Sequence, residues 1–314
     1  MIGFLLKRLA FAIVVLMAVS FLIFSLARLV PTSPAYLVLG ADAGKAEVAA
    51  FEAKHGLDKP MLEQYGSWIY GVVTRFDFGV SYVSGRPIST EVAETLPVTL
   101  ELILVSMVLC LAIAIPLGVV SAFHSGGFVD HALRVISVLG VSTPGFWLGL
   151  ILILLLSVKA GWFPPGDLPP ISDGIGQHLR ALVLPCFCLA IYYTAIISRM
   201  TRSSMLEVLN QDYVRTAVAM GLSKTRIRLV YVLKNAMIPI ISVAAMSCGY
   251  MFGWAIVIEQ VFNVPGICRA LLAAIFARDY NLMQAAVLVV TFAFVALNLL
   301  ADVGYRLLNP RVSW

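Results

Sequence analysis

The sequence predicts an all-α membrane protein with six transmembrane helices, and three observations carry that reading. Of 314 residues, 61% are hydrophobic and 12% charged, with a mean hydropathy of +0.94, whereas soluble domains carry about 25% charged residues. Six apolar runs approach or exceed the length of about 20 residues that a helix needs to cross a bilayer core. Lys and Arg gather at one set of ends of these runs, as they do on the inner side of membrane proteins. Too few polar residues remain to cover the roughly two soluble domains that this length would suggest. An ordinary soluble enzyme, a disordered chain and a disulfide-stapled secreted domain are thereby excluded.

The first run, 9–26, follows Lys7 and Arg8. It is longer than the roughly 7–15 residues of a signal-peptide core, so residues 1–30 read as a retained anchor helix. The other runs are 98–120, 133–158, 181–198, 237–261 and 283–308. Pro116, Gly249 and the series Ser142-Thr143-Pro144-Gly145 interrupt them, and membrane helices tolerate such breakers when neighbours re-satisfy the freed backbone groups. Polar groups freed at a break can line a cavity, which makes Ser142, Thr143, Pro144 and Gly145 candidates for a path through the membrane. Ala245, Gly249 and Gly253 recur every four residues on the fifth run, a small-residue face expected to pack against a helix of this chain or of a partner.

Six spans place both termini on one side, with the 121–132 and 199–236 loops. That side holds Lys7, Arg8, Arg134, Arg199, Arg202, Arg215, Lys224, Arg226, Arg228, Lys234, Arg306 and Arg311, against Lys159, Arg180, Arg269 and Arg278 on the short loops opposite. Both termini are therefore expected to be cytoplasmic. The net charge of +5 reflects topology; no basic stripe interleaves with aromatics, and no nucleic-acid partner is expected. The five cysteines, Cys110, Cys186, Cys188, Cys248 and Cys268, read as small buried hydrophobes, with no metal-binding spacing among them.

Two connecting segments are too large to be mere turns. Residues 31–97, on the outer side, contain five basic and eight acidic residues and the aromatics Phe51, Tyr65, Trp68, Tyr70, Phe76, Phe78 and Tyr82. This predicts an ordered cap, either packed on the outer helix ends or receiving an external partner. Residues 98–314 form the five-helix core, and its inner loop 199–236 holds seven basic and two acidic residues. Apolar positions there recur at helical spacing up to Met220, Gly221 breaks the pattern, and Ser223 can cap a second helix. The prediction is helix, glycine turn, helix along the inner face.

The run Asp212-Tyr213-Val214-Arg215-Thr216-Ala217-Val218-Ala219-Met220-Gly221-Leu222-Ser223, followed by Leu233-Lys234-Asn235-Ala236-Met237-Ile238-Pro239, closely resembles the EAA loop of ABC-importer permeases. It is similar to the version found in the first (B-type) permease of dipeptide, oligopeptide and nickel importers. Further landmarks follow in family order: Gly56-Leu57-Asp58-Lys59-Pro60, Asp77-Phe78-Gly79-Val80-Ser81, Leu96-Pro97-Val98-Thr99-Leu100-Glu101-Leu102, Pro116-Leu117-Gly118, Ile258-Glu259-Gln260-Val261-Phe262, Pro265-Gly266, Arg278-Asp279-Tyr280 and Asn309-Pro310-Arg311. The chain departs from the family at Val30-Pro31-Thr32-Ser33-Pro34-Ala35, where Pro-Gly-Asp-Pro is usual, and at Asn309, where Asp is usual. Arg215 stands where the general motif has Glu.

The resemblance implies a type I ABC-importer permease fold in a bacterial cytoplasmic (inner) membrane. Its loop would form a coupling helix docked on an ATPase subunit through Tyr213, Arg215, Thr216, Ala217, Gly221 and Leu222. It implies as partners a second (C-type) permease, two cytoplasmic ATPases that bind ATP and Mg, an extracytoplasmic solute-binding protein and membrane lipid. The solute would be a di- or oligopeptide, or alternatively a nickel or metal chelate, moved by alternating access. The chain has no Gly-x4-Gly-Lys-Ser/Thr phosphate loop, so the energy must come from elsewhere.

Two other classes fit less well. An intramembrane enzyme would need a nucleophile–base pair or a metal cluster, yet His55, His124, His131 and His178 lie in loops or at span ends and form no H-E-x-x-H motif. A stand-alone channel or secondary carrier has no need of the glycine-broken inner loop, and ion-coupled carriers keep more ionisable groups at mid-membrane. Glu101, Asn298 and Asp302 are the polar exceptions here, with Glu101 and Asp302 read as structural caps near span ends.

Overall fold

The computed structural model describes residues 2–29, 33–40 and 42–308. Two compact units are distinguished, one of Met1–Thr99 with Pro265–Val295 and the other of Leu100–Val264 with Ala296–Trp314.

In the first unit, α1 (Ile2–Arg28) is an apolar helix. It exposes a lipid-type surface, with Phe11 67% and Leu22 58% accessible. Its inward residues meet α4 (Met61–Arg75). Tyr65 packs edge-on against Phe21 and Phe24, with ring centroids 5.2 and 5.4 Å away, and its hydroxyl lies 2.8 Å from Ser20 Oγ. Two further helices, α2 (Ala35–Leu39) and α3 (Lys45–His55), lead into α4. Gly56, at φ +65°, closes α3, and a left-handed residue there costs glycine nothing. After α4 the chain is extended and makes one bridge, Val80 to Pro87. The cap expected over 31–97 is thus mainly helical, and its last ten residues belong to the next helix.

That helix, α5 (Ile88–Phe123), runs for 36 residues. In the second unit its remainder meets α6 (Phe128–Ser142) and α8 (Ile175–Leu209). The third apolar run is not one rod. Pro144 has no N–H to donate, and the helix stops at Thr143 and restarts as α7 (Gly145–Leu152), which continues in π-helical form over Ile153–Lys159. The two arms make an angle of 97°. Among the described residues, five helices are long and apolar enough to cross a membrane, and this bent pair is the sixth if it counts as one span.

The inner loop differs from its prediction. The fourth run, read as 181–198, is a 35-residue helix that carries Pro185 inside it and absorbs residues 199–209. A separate helix, α9 (Asp212–Ala219), follows. The chain then enters α10 (Lys224–Arg226), a π-helical stretch Ile227–Leu233 and α11 (Lys234–Val261) as one 38-residue candidate span. The expected second loop helix is therefore the base of the fifth span. The last two described helices are α12 (Ile267–Phe276) and α13 (Tyr280–Leu308).

The core of the second unit is built where α8 meets α6 and α11. α6 and α8 run antiparallel, with Asp130 beside Arg202, Ser137 beside Ser198 and Gly140 against Ala195. Gly118 brings α5 against the same stretch of α8, since a Cβ there would lie 2.6 Å from the Ser198 carbonyl oxygen. Four cysteines are buried and Cys248 is half-buried, all as free thiols.

Within this chain alone, the small-residue stripe on α11 does not form one packed face. Gly249 is buried and Ala245 half-buried, but Gly253 is exposed with nothing within 4 Å of a Cβ built on it. The residues facing the chain's own core lie to one side of the stripe and include Ile240, Ala244, Met251 and Ile258. The landmarks at 30–32 and 309–311 and the charge at Arg311 fall outside the described residues, as do the side chains of Asp302 and Arg306.

Candidate functional site

The second unit contains two neighbourhoods with functional geometry, the α9 elbow and the break between α6 and α7. The elbow is set by apolar spacing. Val214 and Ala217, three apart on an eight-residue helix, share one face and are both buried. The opposite surface carries Arg215, Thr216, Val218 and Ala219, continued by Met220. Val218 is 60% and Met220 73% accessible.

Gly221 ends α9 at φ +75°. Its N–H donates to the Val218 carbonyl (3.0 Å) and that of Leu222 to the Ala217 carbonyl (3.3 Å), the paired bonds of a Schellman cap. Ser223 then caps the next helix by accepting from the Arg226 N–H at 3.4 Å.

The sequence-predicted docking residues thus separate. Arg215, Thr216 and Gly221 are exposed, and Leu222 is half-buried. Ala217 is 3% accessible and packs inward, so it is removed from the outer face. Tyr213 is exposed, yet its hydroxyl accepts from Asn235 Nδ2 (3.1 Å) and donates to the Tyr231 carbonyl (3.4 Å). It therefore ties α9 to the base of the fifth span. Val218 and Met220 join Arg215 and Thr216 on the outer surface, and the three-residue offset of Val214 and Ala217 already turns Val218 outward. The Arg215–Asp212 pair, 3.6 Å apart and mostly exposed, contributes little to stability.

Ser142, Thr143, Pro144 and Gly145 come together at the break, on the wall of a cavity of about 230 Å3. Thr143 turns its hydroxyl back to the Leu139 carbonyl (2.7 Å), which occupies its donor. The rest of the wall comes from α8 and α11. Tyr192 and Trp254 face each other with centroids 6.0 Å apart and planes tilted by 36°. Tyr193 also lines the cavity, and its buried hydroxyl has no hydrogen-bond partner among the described residues. Such a group costs about 1–3 kcal/mol if it stays unsatisfied. These aromatics were not read as path residues, because nothing in two runs 62 positions apart says that they meet.

Of the polar exceptions, Glu101 settles into a structural contact. Glu101 Oε1 lies 2.8 Å from His178 Nε2, while His178 Nδ1 lies 2.7 Å from the Pro169 carbonyl. Asp130, fully buried, accepts two bonds from Arg202 (2.7 and 2.8 Å), one from Ser121 Oγ (2.6 Å) and one from the Gly126 N–H (3.0 Å).

A helical, multi-span membrane component with a short outward-facing elbow and a broken span is the form of a transport permease. The chain belongs to the family of binding-protein-dependent transport system inner membrane components. The family profile matches residues 114–314, and the corresponding N-terminal profile matches 1–103.

Among curated relatives, it is 38% identical over 314 residues, the whole of both chains, to a Brucella abortus (strain 2308) permease named for a peptide transport system. It is 36% identical over 317 residues, again the whole of both, to the oligopeptide transport system permease protein AppB of Bacillus subtilis (strain 168). It is 36% identical over 314 residues, with both chains fully covered, to the glutathione transport system permease protein GsiC of Escherichia coli (strain K12). Among solved structures, an inward-facing MetNI methionine ABC transporter superposes with a TM-score of 0.57 at 17% identity, covering 69% of this chain and 96% of that one. That likeness shows the type I importer permease fold. The protein is thus a multi-pass permease component of an ABC importer in a bacterial inner membrane.

Proposed function

We propose that this chain is the first of two permeases in a peptide importer and that the α9 elbow is where an ATPase subunit docks. The relatives named for peptide, oligopeptide and glutathione transport support peptides as the solute over nickel chelates. The single observation that carries the docking assignment is the outward strip Arg215–Val218–Met220, closed by the Schellman cap at Gly221.

A second permease, two ATPases holding ATP and Mg, and an extracytoplasmic solute-binding protein complete the assembly. The elbow and both termini lie in the cytoplasm. ATP-driven closure of the ATPase pair pushes α9, and Tyr213 and Asn235 pass that displacement to the fifth span. The permeases then alternate between outward- and inward-open states, with solute passing the break at Ser142–Gly145. Tyr192 and Trp254 offer ring faces for a peptide's apolar side chains, and the unpartnered Tyr193 hydroxyl suits a peptide amide. Hydrolysis belongs to the ATPases, so this chain is not catalytic.

Gly221 provides the test. A Cβ there meets nothing within 4 Å, so any effect of substitution comes from the positive φ and not from crowding. Asn adopts left-handed φ readily and a β-branched residue does not. Gly221→Asn should keep ATPase binding and uptake, whereas Gly221→Val should release the ATPase or uncouple hydrolysis from uptake. Normal uptake by Gly221→Val with its ATPases bound would show that the docking assignment is wrong.

A further inference from the structure

The first unit contains a cavity of about 720 Å3, walled by the end of α1, α3, α4, the extended segment after α4 and the first turn of α13. Its walls carry positive charge without matching negative charge. Arg28, Lys54 and Arg75 all line it, and among the described residues none has a carboxylate within ion-pair distance. Lys59 also lines it but is paired with Glu63 at 2.7 Å. The one carboxylate on the wall, Asp77, accepts from the Gly79 N–H at 2.9 Å.

Arg28 is held in place rather than neutralised. Its Nε donates to Gln64 Oε1 (3.1 Å), and its guanidinium carbon sits 4.3 Å from the centre of the Phe24 ring. Its remaining N–H groups have no partner among the described residues. The Trp68 indole N–H, on a lining residue, is buried and likewise unpartnered. Gln284 Oε1, on the same wall, is a buried and unpartnered acceptor, but the three cations and the Trp68 N–H outnumber it, so the chemistry of the cavity suits an oxyanion.

We infer that this cavity holds the phosphate of an anionic phospholipid head group. Arg28 is the last residue of a span whose apolar side chains are largely exposed, which sets the guanidinium where lipid phosphates lie. Long basic side chains at span ends reach to that level, and Trp and Tyr are enriched there, as Trp68 and Tyr82 are on this wall. A guanidinium grips phosphate oxygens through two parallel bonds. The inference needs only that α1 spans the bilayer; it does not depend on what is transported.

The test uses the full chain in the assembled importer, reconstituted in bilayers with phosphatidylglycerol carrying a photoactivatable head group. Cross-links should map to the lining of this cavity. Unlabelled phosphatidylglycerol should compete with them, and phosphatidylcholine or inorganic phosphate should not. Arg28→Gln with Arg75→Gln should raise the half-saturating lipid fraction, by about fivefold for each charge removed. Lys54→Gln, at an exposed residue whose side chain has no partner among the described residues, should give the single-charge effect even if the double variant misfolds. Unchanged cross-linking in these variants would overturn the proposal. Full competition by inorganic phosphate would make the cavity a soluble-anion site. Unchanged lipid cross-linking with weakened capture of the binding protein would reassign it to an acidic protein surface.

Discussion

Replacing Gly118 with alanine adds one methyl group to α5 where it meets α8. The new carbon would stand 2.4 Å from Thr201 Cβ, 2.7 Å from Thr201 Cγ2 and 2.6 Å from the Ser198 carbonyl oxygen, against a favourable carbon–carbon separation of about 3.5–4.0 Å. Thr201 is fully buried, and its hydroxyl donates to the Ile197 carbonyl at 2.8 Å. The Ser198 oxygen belongs to the helix backbone. Neither can swing aside, so the helices must part by about an ångström. Forcing a group into a packed core costs about 1–3 kcal/mol, while alanine in a helix interior recovers about 0.8–1 kcal/mol over glycine.

The steric cost outweighs the gain, and a net loss centred near 1 kcal/mol, up to about 2 kcal/mol, is expected from these two terms. At roughly 2–4 °C per kcal/mol for domains of 150–250 residues, the midpoint should fall by several degrees. The four buried thiols, Cys110, Cys186, Cys188 and Cys268, make a thiol-reactive dye a direct reporter of thermal unfolding. Gly253→Ala, which meets nothing within 4 Å, is the matched control and should be neutral or slightly stabilising in the isolated chain. If Gly118→Ala unfolds no earlier than wild type, the close approach of α5 to α8 is refuted. A loss for Gly253→Ala that appears only in the assembled importer would mark that glycine as a contact with another subunit.

Removing one partner of a buried ion pair costs about 3–5 kcal/mol, whereas replacing both by apolar groups often costs little. Arg202→Ala should therefore unfold well below wild type by the same dye assay, and Asp130→Leu with Arg202→Met should recover most of the loss; equal loss in both would deny that charge burial is the cause. Tyr213→Phe removes the hydroxyl between Asn235 and the Tyr231 carbonyl, a net contribution of about 0.5–1.5 kcal/mol. It should barely move the unfolding midpoint while lowering solute moved per ATP hydrolysed in vesicles. An unchanged ratio would return Tyr213 to the outer docking face.

How much the sequence discloses depends on whether a local rule governs the feature. The break at Ser142–Gly145 is legible because Pro144 lacks a donor, and the end of α9 because Gly221 alone suits a left-handed cap. The length of α8 is not. Pro185 and the basic residues after 198 resemble boundaries, but α6 and α11 pack along the helix and hold it together through both. The inward turn of Ala217 was missed because resemblance supplied the role of that residue, while its helical spacing from Val214 supplied its direction. Pairings across long stretches, such as Tyr192 with Trp254 or Asp130 with Arg202, follow from how helices dock, which periodicity within one helix does not encode.

The carboxylate of Asp130 also limits where this permease can bend. It is gripped from the end of α5, from the turn after it and from α8 at once, so these pieces share a single registry. Sliding α8 by one turn, about 5.4 Å, would strand the carboxylate away from its guanidinium. Those segments therefore travel as a clamp. In the proposed transport cycle, shape change would fall to places free of such a grip, at Thr143–Pro144 and at the glycine elbow after α9. In mechanical terms the buried acid is a fulcrum, and the levers lie on either side of it.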